Sequence, residues 1–193
     1  MRRIPADYYL NPDVEFLARN LLGKVLMTNL NGGEITGGII SETEAYKGET
    51  DRASHAYGGR RTARSETMYM KGGVAYVYLC YGLHHLFNVV TNKAGIPHAV
   101  LIRAIKPTCG YDIMARRIRP EKPILPALNG PGKLTKALGI DKSFDKTSLT
   151  GNRIWIEESI LPVNYEDIVS GPRIGVAYAG DHASLHLRFW LNE

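Results

Sequence analysis

The stretch KVLMTNLNGGEITGGIISETEAY, residues 24–46, gives the clearest indication of the fold. Residues 24–29 predict a strand, the Asn-Gly-Gly run at 31–33 is typical of a tight turn, and residues 34–46 predict the partner strand. The chain therefore begins its sheet with a long β-hairpin.

Short strand patterns continue beyond this hairpin, separated by a few helical ones. Asp13 is placed to cap a helix that Gly23 ends, and Gly180-Asp181 is placed to turn a last hairpin. Further strands are predicted at 74–79, 86–91, 98–105, 153–157, 173–179 and 185–191, and further helices at 111–117 and 132–138. This order predicts an α+β fold with a mostly antiparallel sheet, in a single domain spanning residues 1–193.

Composition narrows the class of protein. The 193 residues include 24 Lys and Arg against 19 Asp and Glu, a net charge of +5 that mildly favours an anionic partner. Cys80 and Cys109 are too few for a disulfide framework or a zinc site, and they fit a reducing cytoplasm. We find neither a signal-peptide pattern nor the roughly 20 apolar residues of a membrane helix, so a cytoplasmic location without membrane contact is expected.

The end of the first hairpin places two acids beside an aromatic ring. Side chains alternate faces along a strand, so Glu42, Glu44 and Tyr46 are expected to share one face. An ordinary solvent-facing strand surface is the simpler interpretation. Glutamate is depleted in strands, however, so two of them here also suit a catalytic site.

The forty residues that follow Glu42 add rings and positive charge. His55 lies in a glycine-bearing loop, GGRRTAR follows at 58–64, and YVYLCYG occupies 76–82. An acid can activate water, aromatic rings can sandwich an extruded base, and arginines can hold phosphates. Together these residue types indicate hydrolysis at a base held in nucleic acid.

Several long segments then resemble the alkyladenine, or 3-methyladenine, DNA glycosylase family. They are LARNLLGKVL (17–26), SETEAYKGETDRASHAYGGRRTAR (41–64), MYMKGGVAYVYLCYG (68–82), LIRAIKP (101–107), NGPGKL (129–134) and LRFWL (187–191). The resemblance spans nearly the whole chain and implies a curved sheet with a protruding hairpin that inserts into DNA. It implies no cofactor and no metal.

The resemblance also implies catalytic and DNA-inserting residues. Glu44 matches the family's water-activating glutamate, and Arg103 matches an arginine beside that water. Without the resemblance, an ion pair between Arg103 and a strand neighbour such as Glu42 is the simpler interpretation. Tyr81, at a predicted turn, matches the tyrosine that fills the space left by the extruded nucleotide.

Four further residues match the family's base pocket: Tyr46, His55, Tyr78 and Asn88. The rings are implied to stack on or contact the base, and the asparagine to discriminate against guanine. Packing of strand aromatics in a core is the structural alternative for Tyr76 and Tyr78, and it is the role expected of Tyr76. A solvated loop is the alternative for His55, and a strand end is the alternative for Asn88.

Four cations suit contacts with the DNA backbone: Arg60, Arg61, Arg64 and Lys71. A solvated surface loop is the alternative. The NGPGK run at 129–133 is not a phosphate-binding P-loop, because Leu134 stands where that motif needs Ser or Thr.

We therefore expect a monomeric, monofunctional glycosylase whose partner is double-stranded DNA containing damaged purines. Its substrates would be of the 3-methyladenine, 7-methylguanine, hypoxanthine and ethenoadenine class. Two alternatives remain: a non-enzymatic module that binds damaged DNA, and a hydrolase of free nucleosides. Residues 92–97 form a loop two residues longer than in the family members compared, which could alter substrate preference.

Overall fold

The computed structural model describes residues 2–30, 32–119, 121, 127–158 and 163–192. These residues form a mixed α+β domain around a curled antiparallel sheet, as the sequence predicts. The strands are β1 (Val25–Leu30), β2 (Glu34–Tyr46), β3 (Ala75–Cys80), β4 (His84–Thr91), β5 (His98–Cys109), β6 (Leu128–Asn129), β7 (Ile154–Glu157), β8 (Ile168–Gly171) and β9 (Arg188–Leu191). The helices are α1 (Val14–Asn20), α2 (Tyr111–Ile118) and α3 (Pro131–Leu138).

Strand β2 pairs with three other strands, β1, β5 and β9. The main strand order is β3-β4-β5-β2-β1-β7, and β9 also pairs with β2 and β8. Strand β2 is long enough to pair with β1 along residues 34–39 and with β9 along residues 42–44. The segment bearing Glu42 and Glu44 is therefore held on both sides, by β5 and by β9.

The two faces of β2 have different surroundings. Thr43 and Ala45 face the hydrophobic core, where the Thr43 hydroxyl donates to the carbonyl of Ala18 in α1 at 2.8 Å. Helix α1 begins where Asp13 accepts from the backbone N–H groups of Glu15 and Phe16, so the predicted cap is confirmed. The opposite face of β2 carries the two acids and Tyr46.

The predicted strand at 173–179 and the hairpin turn at Gly180-Asp181 are wrong. Gly175 and Gly180 have positive φ, and Ala177–Ser184 forms 3₁₀ turns. Strand β9 instead pairs with β8, which the sequence pattern did not indicate. The segment leaves the extended conformation because Arg173 is drawn into a buried ion pair with Asp51.

No helix in the described ranges is both long enough and apolar enough to cross a membrane.

Candidate active site

The strand register brings Glu44, Asn88 and Tyr76 into one row across the sheet. Glu44 on β2 stands opposite Leu101 on β5, which stands opposite Asn88 on β4, which in turn stands opposite Tyr76 on β3. Directly paired residues of neighbouring strands point to the same face. Residues far apart in sequence therefore reach the same surface as Glu44.

Arg103 lies two residues after Leu101 on β5, so strand alternation places it on this same surface, at an irregularity in the β2–β5 pairing. The register shifts on both sides of Glu42, which leaves Ser41 and Arg103 without a partner residue in the ladder. Such bulges bend a strand locally and reorient a side chain. Arg103 is only 8% exposed, and it lies between the two acids of β2.

Glu44 is fully buried, yet its carboxylate is well satisfied. Its Oε1 accepts from the backbone N–H of Ile174 at 2.8 Å and lies 3.2 Å from Nη1 of Arg103, while its Oε2 accepts from the Tyr46 hydroxyl at 2.8 Å. These contacts use three of the roughly four lone-pair sites of a carboxylate, so about one remains on Oε2. An acceptor site of this kind can take a proton from water.

Burial raises the pKa of Glu44, against the opposing effects of Arg103, the Ile174 N–H, Tyr46 and Arg173. A raised pKa brings a carboxylate closer to the range in which a general base works well. Perturbed acids of this kind are concentrated at functional sites.

Glu42 has a different environment from Glu44. Its Oε1 accepts from Nε of Arg103 at 3.0 Å and from Nη1 of Arg188 at 3.1 Å. The predicted alternative, an ion pair between Arg103 and Glu42, therefore exists alongside the contact with Glu44. Glu42 holds Arg103 in place, and Arg103 bridges the two acids.

An aromatic cleft opens beside Glu44. Nine residues line it: Tyr46, Ala53, His55, Met68, Tyr76, Tyr78, Asn88, Ala99 and Tyr178. It encloses about 330 Å³ of empty space, part of it open to solvent. All four residues expected to form a base pocket, namely Tyr46, His55, Tyr78 and Asn88, are among them.

Contacts between the rings hold the inner wall of the cleft. The His55 ring meets Tyr78 edge to face at 4.7 Å between centroids, and its Nδ1 is 2.8 Å from the Tyr76 hydroxyl. Asn88 donates from Nδ2 to the carbonyl of Tyr76 at 3.2 Å. Tyr76 itself is buried, as expected of a strand aromatic that packs in the core.

The cleft holds its titratable rings neutral. Burial, together with the nearby charges of Arg64 and Arg60, lowers the pKa of His55 to about 4. Burial raises the pKa of the Tyr78 hydroxyl and that of Tyr46. At neutral pH these groups can donate or accept hydrogen bonds without carrying charge.

The β3–β4 hairpin ends in an exposed aromatic residue. Tyr81 is 89% exposed and has a φ of 51°, Gly82 has a φ of 70°, and the N–H of Leu83 donates to the Cys80 carbonyl at 3.0 Å. Two positive φ angles are typical of a type I′ turn, which usually takes Asn-Gly. A bulky residue in this conformation is uncommon and strained, which makes Tyr81 a candidate functional position.

The four expected DNA-backbone cations are exposed but not equivalent. Arg61 pairs with Glu66 at 2.6 Å, and Arg64 lies 4.7 Å from the centre of the Tyr78 ring, which places it at the cleft. Arg60 and Lys71 are also exposed.

The sequence interpretation missed Arg173 and its partner. The guanidinium of Arg173 donates to both carboxylate oxygens of Asp51, to the Ala45 carbonyl at 3.0 Å, and lies 4.8 Å from the centre of the Tyr46 ring. Both side chains of this pair are essentially unexposed. Because 122 residues separate them, no local pattern could have linked them.

The sequence interpretation also missed Tyr178, which lines the cleft although it is 70% exposed. The erroneous strand prediction at 173–179 hid its position. Among the described residues, no group of three or more His, Cys, Asp or Glu side chains could hold a metal ion.

Comparison with known proteins agrees with this geometry. The family model for methylpurine-DNA glycosylase matches residues 8–193. A Chlamydia felis protein, provisionally named a 3-methyladenine DNA glycosylase, is 47% identical over 190 residues, which cover 98% of this chain and 96% of that protein. A Bacillus licheniformis protein with the same provisional name is 45% identical over 188 residues, covering 97% and 92% of the two chains.

A similarly named protein of the eukaryote Encephalitozoon cuniculi is 43% identical over 179 residues, covering 92% of this chain and 84% of its own. The fold, the aromatic cleft and these matches define a base-excising enzyme of DNA repair. The chain belongs to the methylpurine-DNA glycosylase family.

Proposed function

We propose that this protein is a monofunctional DNA glycosylase that hydrolyses the N-glycosidic bond of damaged purines extruded from duplex DNA, leaving an abasic site. The observation that carries the proposal is a fully buried carboxylate, Glu44, beside a cleft lined by Tyr46, His55 and Tyr78. The proposed substrates are damaged purines of the 3-methyladenine, 7-methylguanine, hypoxanthine and ethenoadenine class.

Glu44 is the general base of the proposed reaction. Breaking the bond from the sugar to the base sends the electron pair to the leaving base and develops positive charge on the sugar, which a nearby carboxylate stabilises. Water then adds to the sugar carbon while Oε2 takes its proton. Arg103, fixed by Glu42, holds Oε1 in position.

The leaving base needs little help when it is alkylated, because it already carries positive charge. A neutral base such as hypoxanthine needs a hydrogen bond or a proton. His55, with a pKa of about 4, is neutral at physiological pH and supplies a hydrogen bond but not a full positive charge. This predicts faster release of cationic than of neutral bases.

Selection of damaged bases rests on the rings. Stacking on aromatic side chains contributes roughly 1–3 kcal/mol per base, and an electron-poor alkylated purine gains further from the negative ring faces. In this proposal Asn88 discriminates against guanine, which is supported by its position on the wall of the cleft and its hydrogen bond to the Tyr76 carbonyl.

The DNA contacts follow from the exposed features. Tyr81 inserts into the duplex in place of the extruded nucleotide, which offsets part of the unstacking cost. Arg60, Arg61, Arg64 and Lys71 contact the phosphates. The protein acts in the cytoplasm as a monomer. No cleft-lining residue in the described ranges is a lysine, which suits hydrolysis without a lyase step.

The function is tested by single-turnover excision on duplexes that carry one defined lesion, with an undamaged duplex as control. We expect release of the free base and a strand that breaks only after alkali treatment. Lesion binding without release would favour the non-enzymatic module. Turnover of free nucleosides at rates equal to those on duplex DNA would favour the nucleoside hydrolase.

The replacement Tyr81→Asn is expected to separate stability from function. It relieves the positive-φ strain of an aromatic residue and creates the preferred type I′ turn pair, so the free energy of unfolding should rise by up to about 1 kcal/mol. Excision from duplex DNA should fall by roughly tenfold, because unstacking costs a few kcal/mol. Urea unfolding and single-turnover rates measure the two effects. Unchanged excision would show that Tyr81 does not fill the space left by the extruded nucleotide.

The pH dependence should follow Glu44. Burial raises the pKa of Glu44, so the excision rate of a cationic base should fall with decreasing pH at values above a glutamate's usual range. His55, with a pKa of about 4, should contribute no titration near neutrality. Rate profiles of the wild type and of His55→Gln test this. An acid limb near neutral pH that disappears in the variant would assign that limb to His55 instead.

A further inference from the structure

Tyr178 is an exposed aromatic residue at the mouth of the cleft. It lines the same cavity as Tyr46, His55 and Tyr78 although it is 70% exposed. An aromatic ring that combines high exposure with a place in a cavity wall has one face available to a ligand. Exposed rings of this kind are typical of binding surfaces.

The ring is held in place at both ends. Its hydroxyl donates to the carbonyl of Ala53 at 3.1 Å, in the loop that also carries His55. Its backbone belongs to the segment that the buried Arg173–Asp51 pair fixes to the same loop. The ring is therefore already ordered, which lowers the entropic cost of contacting a ligand.

Tyr178 lines the cleft and lies near enough to Tyr81, at the hairpin tip, for the two to interact electrostatically. Burial raises the pKa of the Tyr178 hydroxyl. The charges of Asp51 and Tyr81 also raise it, whereas those of Arg173 and Arg64 lower it. Tyr178 in turn raises the pKa of Tyr78, on the inner wall. A nucleotide that passes from a duplex held at Tyr81 into the cleft would pass this ring.

We propose that Tyr178 binds the extruded purine nucleotide, forming the outer aromatic wall of the pocket opposite the inner rings. This inference rests on the proposed function. The ring contacts the nucleotide only after extrusion, whereas Tyr81 occupies the space that the nucleotide leaves. Tyr178 therefore contributes to capture of the damaged nucleotide and not to general affinity for DNA.

Three variants test the assignment: Tyr178→Ala, Tyr178→Phe and, as a matched control, Tyr111→Ala. Tyr111 is exposed too, at 51%, and its hydroxyl likewise donates to a backbone carbonyl, that of Pro107 at 2.8 Å. Pro107 lies eight residue steps along β5 from Ala99, in the cleft, which is about 26 Å.

The measurements are the enzyme concentration that half-saturates single-turnover excision of a hypoxanthine duplex and the Kd for the undamaged duplex. Losing one stacking partner should raise the half-saturating concentration of Tyr178→Ala about tenfold. Tyr178→Phe and Tyr111→Ala should stay close to the wild type, as should the Kd of every variant for undamaged DNA.

Each other outcome overturns the assignment in a defined way. Wild-type behaviour of Tyr178→Ala would show that the ring does not touch the nucleotide. An equal loss in Tyr178→Ala and Tyr178→Phe would assign the effect to the hydroxyl bond with Ala53. An equal loss on undamaged DNA would make Tyr178 a general DNA contact. A wild-type protein that excises no lesion would instead refute the proposed function.

Discussion

Glu44→Gln is expected to lower single-turnover excision by about 10²–10⁴-fold while leaving affinity for lesion-bearing duplex nearly unchanged. The amide oxygen can take the place of Oε1 and accept from Ile174 and Arg103, and the amide nitrogen can donate to the Tyr46 hydroxyl. The cleft therefore keeps its shape, but the side chain can no longer take a proton from water.

Stability provides a control on this variant. Burial raises the pKa of Glu44 in the native state above its unfolded value. The native state then binds the proton more tightly, so the linked stability is present below the unfolded pKa and is lost as pH rises through the native pKa. At pH 7 the neutral glutamine should therefore unfold at the same or a higher denaturant concentration than the wild type.

Glu42→Gln is the matched comparison, because Glu42 lies on the same face two residues earlier. It contacts Arg103 and Arg188, whereas Glu44 accepts a hydrogen bond from Tyr46 in the wall of the cleft. Arg103 keeps its contact with Glu44 when Glu42 is neutralised, so the loss of excision should be at most about tenfold, toward the lower end of what positioning groups contribute. Equal losses in the two variants would contradict the assignment of the base to Glu44.

Arg173→Gln is expected to destabilise the protein by about 3–5 kcal/mol, because it leaves the carboxylate of Asp51 buried without its charge partner. The effect should extend to the site. Arg173 also holds the Ala45 carbonyl and packs on Tyr46, and the next residue, Ile174, donates to Glu44.

A double-mutant cycle isolates this pair. Asp51→Asn alone should also be strongly destabilising, but the double variant should lose much less than the sum of the single effects, because no uncompensated charge is left. Hydrogen bonds and charge from Arg173 lower the pKa of Asp51 even though burial opposes this. The stability of the pair is thus present above the unfolded pKa of Asp51 and is lost as pH falls. Additive effects in the cycle would show that the two residues act independently.

Local patterns predicted the part of the molecule that local physics determines. The pairing of residues 25–30 with 34–39 and the cap at Asp13 depend on alternation and a short-range hydrogen bond, and both are confirmed. Asn31, in the predicted turn, lies outside the described residues. Alternation also put Glu42, Glu44 and Tyr46 on one face. The Tyr81-Gly82 pair predicted a turn that exposes the ring, and the structure confirms it, because Tyr81 is 89% exposed.

The parts of the fold and the site that the sequence did not predict depend on contacts between distant parts of the chain. Gly175 and the Asp51–Arg173 pair take residues 173–179 out of the extended state that their apolar alternation favours. The Asp51–Arg173 pair also positions Ile174 against Glu44 and Tyr178 at the cleft. The residues of β2 that stand beside Arg103 depend on a register shift between β2 and β5 that neither strand reveals alone. The roles of Glu44, Arg103 and the four expected pocket residues came from the family resemblance, and their chemistry remains a prediction.

The most direct test of the account is a structure of Glu44→Gln bound to a duplex containing ethenoadenine. The account predicts the damaged base inside the cleft between Tyr46 on one side and His55 and Tyr78 on the other, a water within hydrogen-bonding distance of residue 44, and the Tyr81 ring between the neighbouring base pairs. A lesion still stacked in the duplex, or bound away from this cleft, would contradict it.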